Sequence, residues 1–76
     1  MSTGSFSKEF GRFVQGKRRA ARMTQLEYGA RMGISESRFS QIERGSVPPE
    51  SRLLEMIRKL GDKAAEWLEA AGYAAP

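Results

Sequence analysis

Residues Thr24 to Gly45 read TQLEYGARMGISESRFSQIERG, and they hold two short helical patterns separated by a single glycine. Thr24-Gln25-Leu26-Glu27 has the form of a capping box. In it the Thr hydroxyl accepts from the Glu27 backbone N–H while the Glu carboxylate reaches back to the Thr24 N–H. Tyr28 and Met32, four residues apart, supply the inner face of this helix. Gly33 stops it as a residue free to take a positive φ. Ile34 is an apolar connector, and Ser35 caps a second helix that runs to Glu43 or Arg44 and ends at Gly45. Phe39 and Ile42 point inward, leaving Glu36, Ser37, Arg38, Ser40, Gln41 and Arg44 outward or to the sides.

A helix of eight or nine residues is marginal alone in water. Two of them joined by a short Gly-containing turn, with the small Gly29 where they cross, fix each other's angle as a helix-turn-helix. One face of the second helix is then left protruding, narrow enough for a DNA major groove roughly 12 Å wide.

Working outward, Phe10, Val14, Lys17 and Ala21 follow helical spacing upstream, with Phe13 beside them and Ser7 as N-cap. Gly11 and Gly16 fall inside this helix and each costs on the order of 1 kcal/mol relative to Ala, so packing has to hold it. Downstream, Ser46 to Pro49 is expected to be a loop, since two consecutive prolines cannot sit inside a helix. A further helix covers about Glu50 to Leu60 with Leu53, Leu54, Met56, Ile57 and Leu60, closed by Gly61. Asp62 is expected to cap a last helix, Lys63 to Ala71, that carries Trp67 and Leu68 and ends at Gly72. Neither internal repeats nor strand-like alternation is visible. The expected fold is all-α, a compact five-helix bundle: a domain over 7–72 between a flexible N-terminal tail, 1–6, and a C-terminal tail, 73–76.

At 76 residues the chain is expected to be one domain with a modest core and no space for an effector domain. Cysteine and histidine are both absent. That removes disulfides, zinc sites of the usual Cys/His type, thiol nucleophiles and imidazole chemistry. No acid–base pair or nucleophile constellation is visible, so neither catalysis, a metal, a cofactor nor a small-molecule ligand is expected. No apolar run approaches the roughly 18 to 20 residues that span a bilayer, and MSTGSF lacks the basic and apolar parts of a signal peptide. The expected location is cytoplasmic, nucleoid-associated if the partner is DNA. Thirteen Lys and Arg against nine Asp and Glu give a net charge of +4. The surplus belongs to residues 1–45, with nine basic and four acidic side chains against four and five in 46–76. The basic half is the half that contains the two short helices, which suits a polyanionic partner.

This stretch resembles the DNA-binding domain of the lambdoid phage repressor and Cro family, the xenobiotic-response-element type helix-turn-helix. The similarity covers about residues 8 to 72. Its most specific parts are Thr24-Gln25, Gly33-Ile34-Ser35 and Ser40-Gln41-Ile42-Glu43-Arg44-Gly45, followed by a proline and an apolar helix ending Leu60-Gly61. Tyr28 stands where family members commonly carry Leu, Gly29 where they carry Ala, and Leu26 where they carry a polar or acidic residue. The second helix is therefore expected to be looser, or repacked around a larger ring.

The resemblance implies a lambda repressor-like fold and a recognition helix at about 35–44 in the major groove. Glu36, Ser37 and Gln41 then occupy positions that meet base edges, flanked by Arg38 and Ser40. Gln can pair bidentately with adenine, and Glu can accept from cytosine N4. Against this, an acidic Glu36 in a first turn stabilises any helix. Gln25 would clamp the DNA backbone and brace the recognition helix, and Ser35 would join it at the phosphates. A cation at Arg18 would bridge to Glu43 and tie the first helix to the third. Arg19, Arg22 and Arg44 are candidate phosphate contacts, although basic residues also suit the last turn of any helix. Trp67 and Leu68 are expected to complete the core against the fourth helix. A dimer contact by Trp67, Leu68 or Tyr73 is the competing assignment.

The expected function is sequence-specific binding of double-stranded DNA by a small regulator of phage or prokaryotic type, as a homodimer on two half-sites about one helical turn (roughly 34 Å) apart. The alternative is a protein-interaction module of the same fold, such as a phage-encoded factor or an antitoxin-like partner. Salt separates the two, because DNA binding weakens steeply as salt rises.

Overall fold

The computed structural model describes residues 5–73. In chain order they form β1 (Ser5–Phe6), α1 (Lys8–Ala20), α2 (Gln25–Arg31), α3 (Glu36–Glu43), β2 (Ser46–Val47), α4 (Glu50–Leu60) and α5 (Ala64–Ala71). Five helices thus make up the fold, with one two-residue ribbon beside them. Met1–Gly4 and Ala74–Pro76, assigned from sequence to tails, lie outside the described residues.

The local signals act where the sequence places them. Ser7 Oγ accepts from the Phe10 N–H at 3.1 Å and starts α1. Thr24 Oγ1 accepts from Glu27 N at 3.1 Å and Thr24 N donates to Glu27 Oε1 at 2.9 Å, so both halves of the capping box form. Gly33 turns with φ +78° between α2 and α3. Among the described residues, Arg22, just after α1, is the one non-glycine at positive φ, +58°.

The core joins all five helices: Phe10 and Val14 of α1, Tyr28 of α2, Phe39 and Ile42 of α3, Leu53, Met56 and Ile57 of α4 and Trp67 of α5 are buried, together with Met32 and Val47. Tyr28 is not loose. Its ring meets Phe39 edge-on at 5.6 Å between centroids, so α2 and α3 are repacked around a larger aromatic. Trp67 is wholly buried and packs edge-on against Phe13 at 5.2 Å and Phe10 at 6.3 Å. It therefore seals α5 onto α1 and has no surface left for a second copy.

Three sequence expectations change. Ser46 and Val47, expected in a loop, form β2 and pair antiparallel with β1 in the register Ser5↔Val47 and Phe6↔Ser46. Residues 5 and 6 accordingly leave the expected tail, and strands of two residues are too short to show alternation. Tyr73, expected in the other tail, donates its hydroxyl to the Pro48 carbonyl at 2.6 Å. Asp62 does not cap α5; Lys63 is the N-cap residue and makes no side-chain cap bond. The Asp62 carboxylate instead accepts from the Trp67 indole N–H at 3.0 Å and the Lys63 N–H at 2.8 Å, and pairs with Lys17 at 3.0 Å. The indole needs an acceptor where it is buried, and that demand outweighs the helix end.

Gly11 also changes meaning. A Cβ there would overlap the Glu43 carbonyl oxygen and stand 2.9 Å from its carbon, so α1 and α3 cross backbone to backbone at this residue. Gly16 has nothing within 4 Å of that position.

Candidate nucleic-acid interface

The outward face of α3 is built from below. Phe39 and Ile42 are buried to within 1 % of their surface and carry the helix on the α1–α2 base. Residues one turn apart on the opposite side must then face solvent. Glu36, Ser37, Gln41 and Arg44 are exposed, while Arg38 and Ser40 at the edges are half-buried.

Both ends of α3 are fixed. At the start, Ser35 Oγ accepts from Arg38 N at 3.1 Å. Accepting engages one lone pair and leaves the hydroxyl proton free to donate. At the far end Glu43 is the hub: Arg18 Nε donates to Glu43 Oε2 at 2.6 Å and Nη2 to Oε1 at 3.3 Å, while Gln25 Nε2 donates to Oε1 at 2.9 Å. Arg18 Nη1 also reaches the Met23 carbonyl at 3.1 Å, so a single guanidinium ties α1, the α1–α2 turn and α3 together. The Glu43 side chain is 5 % exposed and that of Arg18 16 %, which makes this a nearly dry fork–fork pair. The hydrogen bond to Glu43 pushes the Arg18 guanidinium above its already high value.

On the opposite side of α1, Lys17 pairs with Asp62 and with Glu66 at 3.2 Å. These hydrogen bonds push the Lys17 ammonium up. Trp67, Lys63 and Lys17 together pull the Asp62 carboxyl down from its ordinary 3.8 to about 2. Burial pushes the Tyr28 phenol up.

Of the residues singled out from sequence, Glu36, Ser37, Arg38, Ser40, Gln41 and Arg44 share α3, with Ser35 at its start. Gln25 is engaged with Glu43, so its amide is held within the protein on one side. Arg19 and Arg22 are exposed at the end of α1. Arg22 lines a shallow groove with Met23, Glu27, Ala30 and Arg31, beside the outer side of α2 rather than with the α3 residues. Arg38 is not free to act alone: its Nη1 donates to Ser46 Oγ at 3.0 Å and to Gln41 Oε1 at 3.3 Å. Ser46 is the site residue that sequence reasoning missed, because a serine after a helix-ending glycine looks like any loop residue. The Arg38–Gln41 spacing of three was the one available signal.

Two helices joined at a glycine turn, the second packed on α1 and α2 by one face and carrying polar side chains on the other, now have a match. This chain belongs to the helix-turn-helix domain family. The family model matches residues 9–69, which include all five helices apart from the first residue of α1 and the last two of α5. Comparison with curated proteins and with solved structures gave no match. Among the described residues, no helix is long and apolar enough to cross a membrane and no group of three His, Cys, Asp or Glu side chains could hold a metal ion.

Proposed function

We propose that this helix-turn-helix protein is a sequence-specific double-stranded DNA-binding regulator of repressor or Cro type. The observation that carries the reading is the outward face of α3, with Glu36, Ser37, Gln41 and Arg44 exposed on a helix whose inner side is fully buried. A rigid polar ridge on a basic half-molecule suits insertion into a major groove, with side chains reading base edges and flanking cations meeting phosphates. Glu36, Ser37, Arg38, Ser40 and Gln41 are assigned to base pairs. Gln25, Ser35, Arg19, Arg22 and Arg44 are assigned to the backbone, and the Arg18–Glu43 pair keeps α3 at its angle. A single module of this size has limited affinity, so the regulator acts as a homodimer on two half-sites about one turn (roughly 34 Å) apart. It works in the nucleoid, by occluding a promoter or touching polymerase.

Selection of bound duplexes from a random library, followed by salt titration, tests this. Gln41→Ala should relax preference at one or two positions per half-site and cost about 1 to 3 kcal/mol on the best site. Arg44→Gln should make the slope of log affinity against log salt shallower by about one per module, with Lys63→Gln as the neutral control. Equal slopes for wild type and both variants would discard this face as a DNA surface and favour a protein partner.

A further inference from the structure

Two protons of one guanidinium nitrogen connect a residue outside the recognition helix to the helix's central amide. Arg38 Nη1 donates one to Ser46 Oγ at 3.0 Å and the other to Gln41 Oε1 at 3.3 Å. Ser46 is itself held in place. It pairs with Phe6 across the β1–β2 ribbon, the preceding Gly45 carbonyl accepts from Ser7 N at 2.7 Å, and the following Val47 is buried. Arg38 is half-buried and lines a groove with Ile34, Pro48, Pro49, Arg52 and Met56, so part of its side chain is held against the body of the protein.

We propose that Ser46 is a specificity-determining positioning residue, whose hydroxyl holds Arg38 against Gln41 and thereby fixes which edge of the Gln41 amide meets the base pair. This rests on the DNA-binding reading above. A guanidinium only donates, so it accepts the amide oxygen as neighbour and repels the amide nitrogen. With Oε1 turned to Arg38, one lone pair of that oxygen remains beside the Nε2–H. This acceptor–donor edge matches adenine, whose N6–H donates and whose N7 accepts; guanine offers two acceptors. Without the Ser46 anchor the guanidinium swings away, the amide turns freely, and the preset acceptor–donor edge that favours adenine over guanine is lost. The ribbon thus reaches the base pair through two side chains without touching DNA.

The test uses the full chain as wild type, Ser46→Ala and Ser46→Thr. Each is taken through selection from random duplexes, then titrated against the wild-type best duplex and the same duplex with the adenine opposite Gln41 replaced by guanine. Ser46→Ala should lower the adenine-over-guanine discrimination by roughly tenfold, within what one bidentate pair contributes. Ser46→Thr, which keeps the hydroxyl, should stay within about twofold of wild type. Melting temperature and salt slope should not move in either variant. In the DNA-free protein, NMR of the Gln41 side-chain amide should show its protected, single-conformer signals in wild type and averaged signals in Ser46→Ala. Unchanged discrimination and unchanged amide signals in Ser46→Ala overturn the proposal, as does an equal loss on both duplexes. A wild-type chain that enriches no consensus overturns the DNA-binding reading itself, and this proposal with it.

Discussion

Lys17 and Arg18 are neighbours on α1, yet they fasten different parts of the molecule by different physics. Arg18 turns toward α3 and makes a bidentate pair with a Glu43 carboxylate that is 5 % exposed. Lys17 turns toward α5 and meets Asp62 and Glu66, whose side chains are 28 % and 63 % exposed. On the α5 side the joint is chiefly apolar, the buried Trp67 wedged against Phe10 and Phe13, with the charges along its rim. On the α3 side the backbones touch at Gly11 and the charges are inside. Removing a partner from a dry pair leaves a stranded charge, whereas removing one from a wet pair exposes it to water. The α1–α3 joint therefore adds polar geometry to its packing, and the α1–α5 joint depends chiefly on buried area.

The largest effect should come from breaking the α1–α3 contact at its closest point. Gly11→Ala sets a methyl group into the Glu43 carbonyl, and neither backbone can give way, so a loss of about 3 kcal/mol or outright unfolding is expected in urea melts. A stable Gly11→Ala protein with an unchanged midpoint would mean that the helices are not in backbone contact.

Next comes the dry pair. Glu43→Ala strands Arg18 and releases Gln25, and should cost about 2 to 4 kcal/mol, against less than about 0.5 kcal/mol for the exposed Glu69→Ala. A double-mutant cycle with Arg18→Ala should show coupling above about 1 kcal/mol. Additive losses would reduce the pair to two independent surface groups.

The wet side is expected to show itself through pH. Asp62 titrates at about 2 in the folded chain, below its ordinary 3.8. The folded state binds this proton more weakly, so the carboxylate's contribution is complete above about pH 4 and disappears as pH falls toward 2. Asp62→Asn should be less stable than wild type at pH 7, with the difference closing across that window. A constant difference down to pH 2 would show that the carboxylate charge is not what holds Lys17 and Trp67.

The smallest expected effect reverses the sign of the first. Gly16→Ala places a methyl where nothing lies within 4 Å and should stabilise the chain by up to about 1 kcal/mol through helix propensity alone. Gly11 and Gly16 lie five residues apart on one helix, and their opposite responses would locate the α1–α3 crossing by thermodynamics.

The sequence by itself determined the five helices and most of their ends. Thr24 with Glu27, Ser35, Gly33, Gly45, Gly61 and Gly72 act through bonds and dihedrals spanning no more than a few residues, which is why their effects are readable in order along the chain. The face of α3 was legible too, because Phe39 and Ile42 fix it by helical period. Only the tertiary structure decided what depends on residues far apart in sequence. Glycine in a helix reads as a cost until Glu43 is brought against Gly11, 32 positions away. Asp62 reads as a cap until the Trp67 indole turns to it, and Ser46 reads as loop until β1 returns to pair with it and Arg38 reaches it. Local hydrogen bonds and rotamer limits are properties of short segments, whereas close approach, burial and the choice among competing acceptors exist only once the helices have packed.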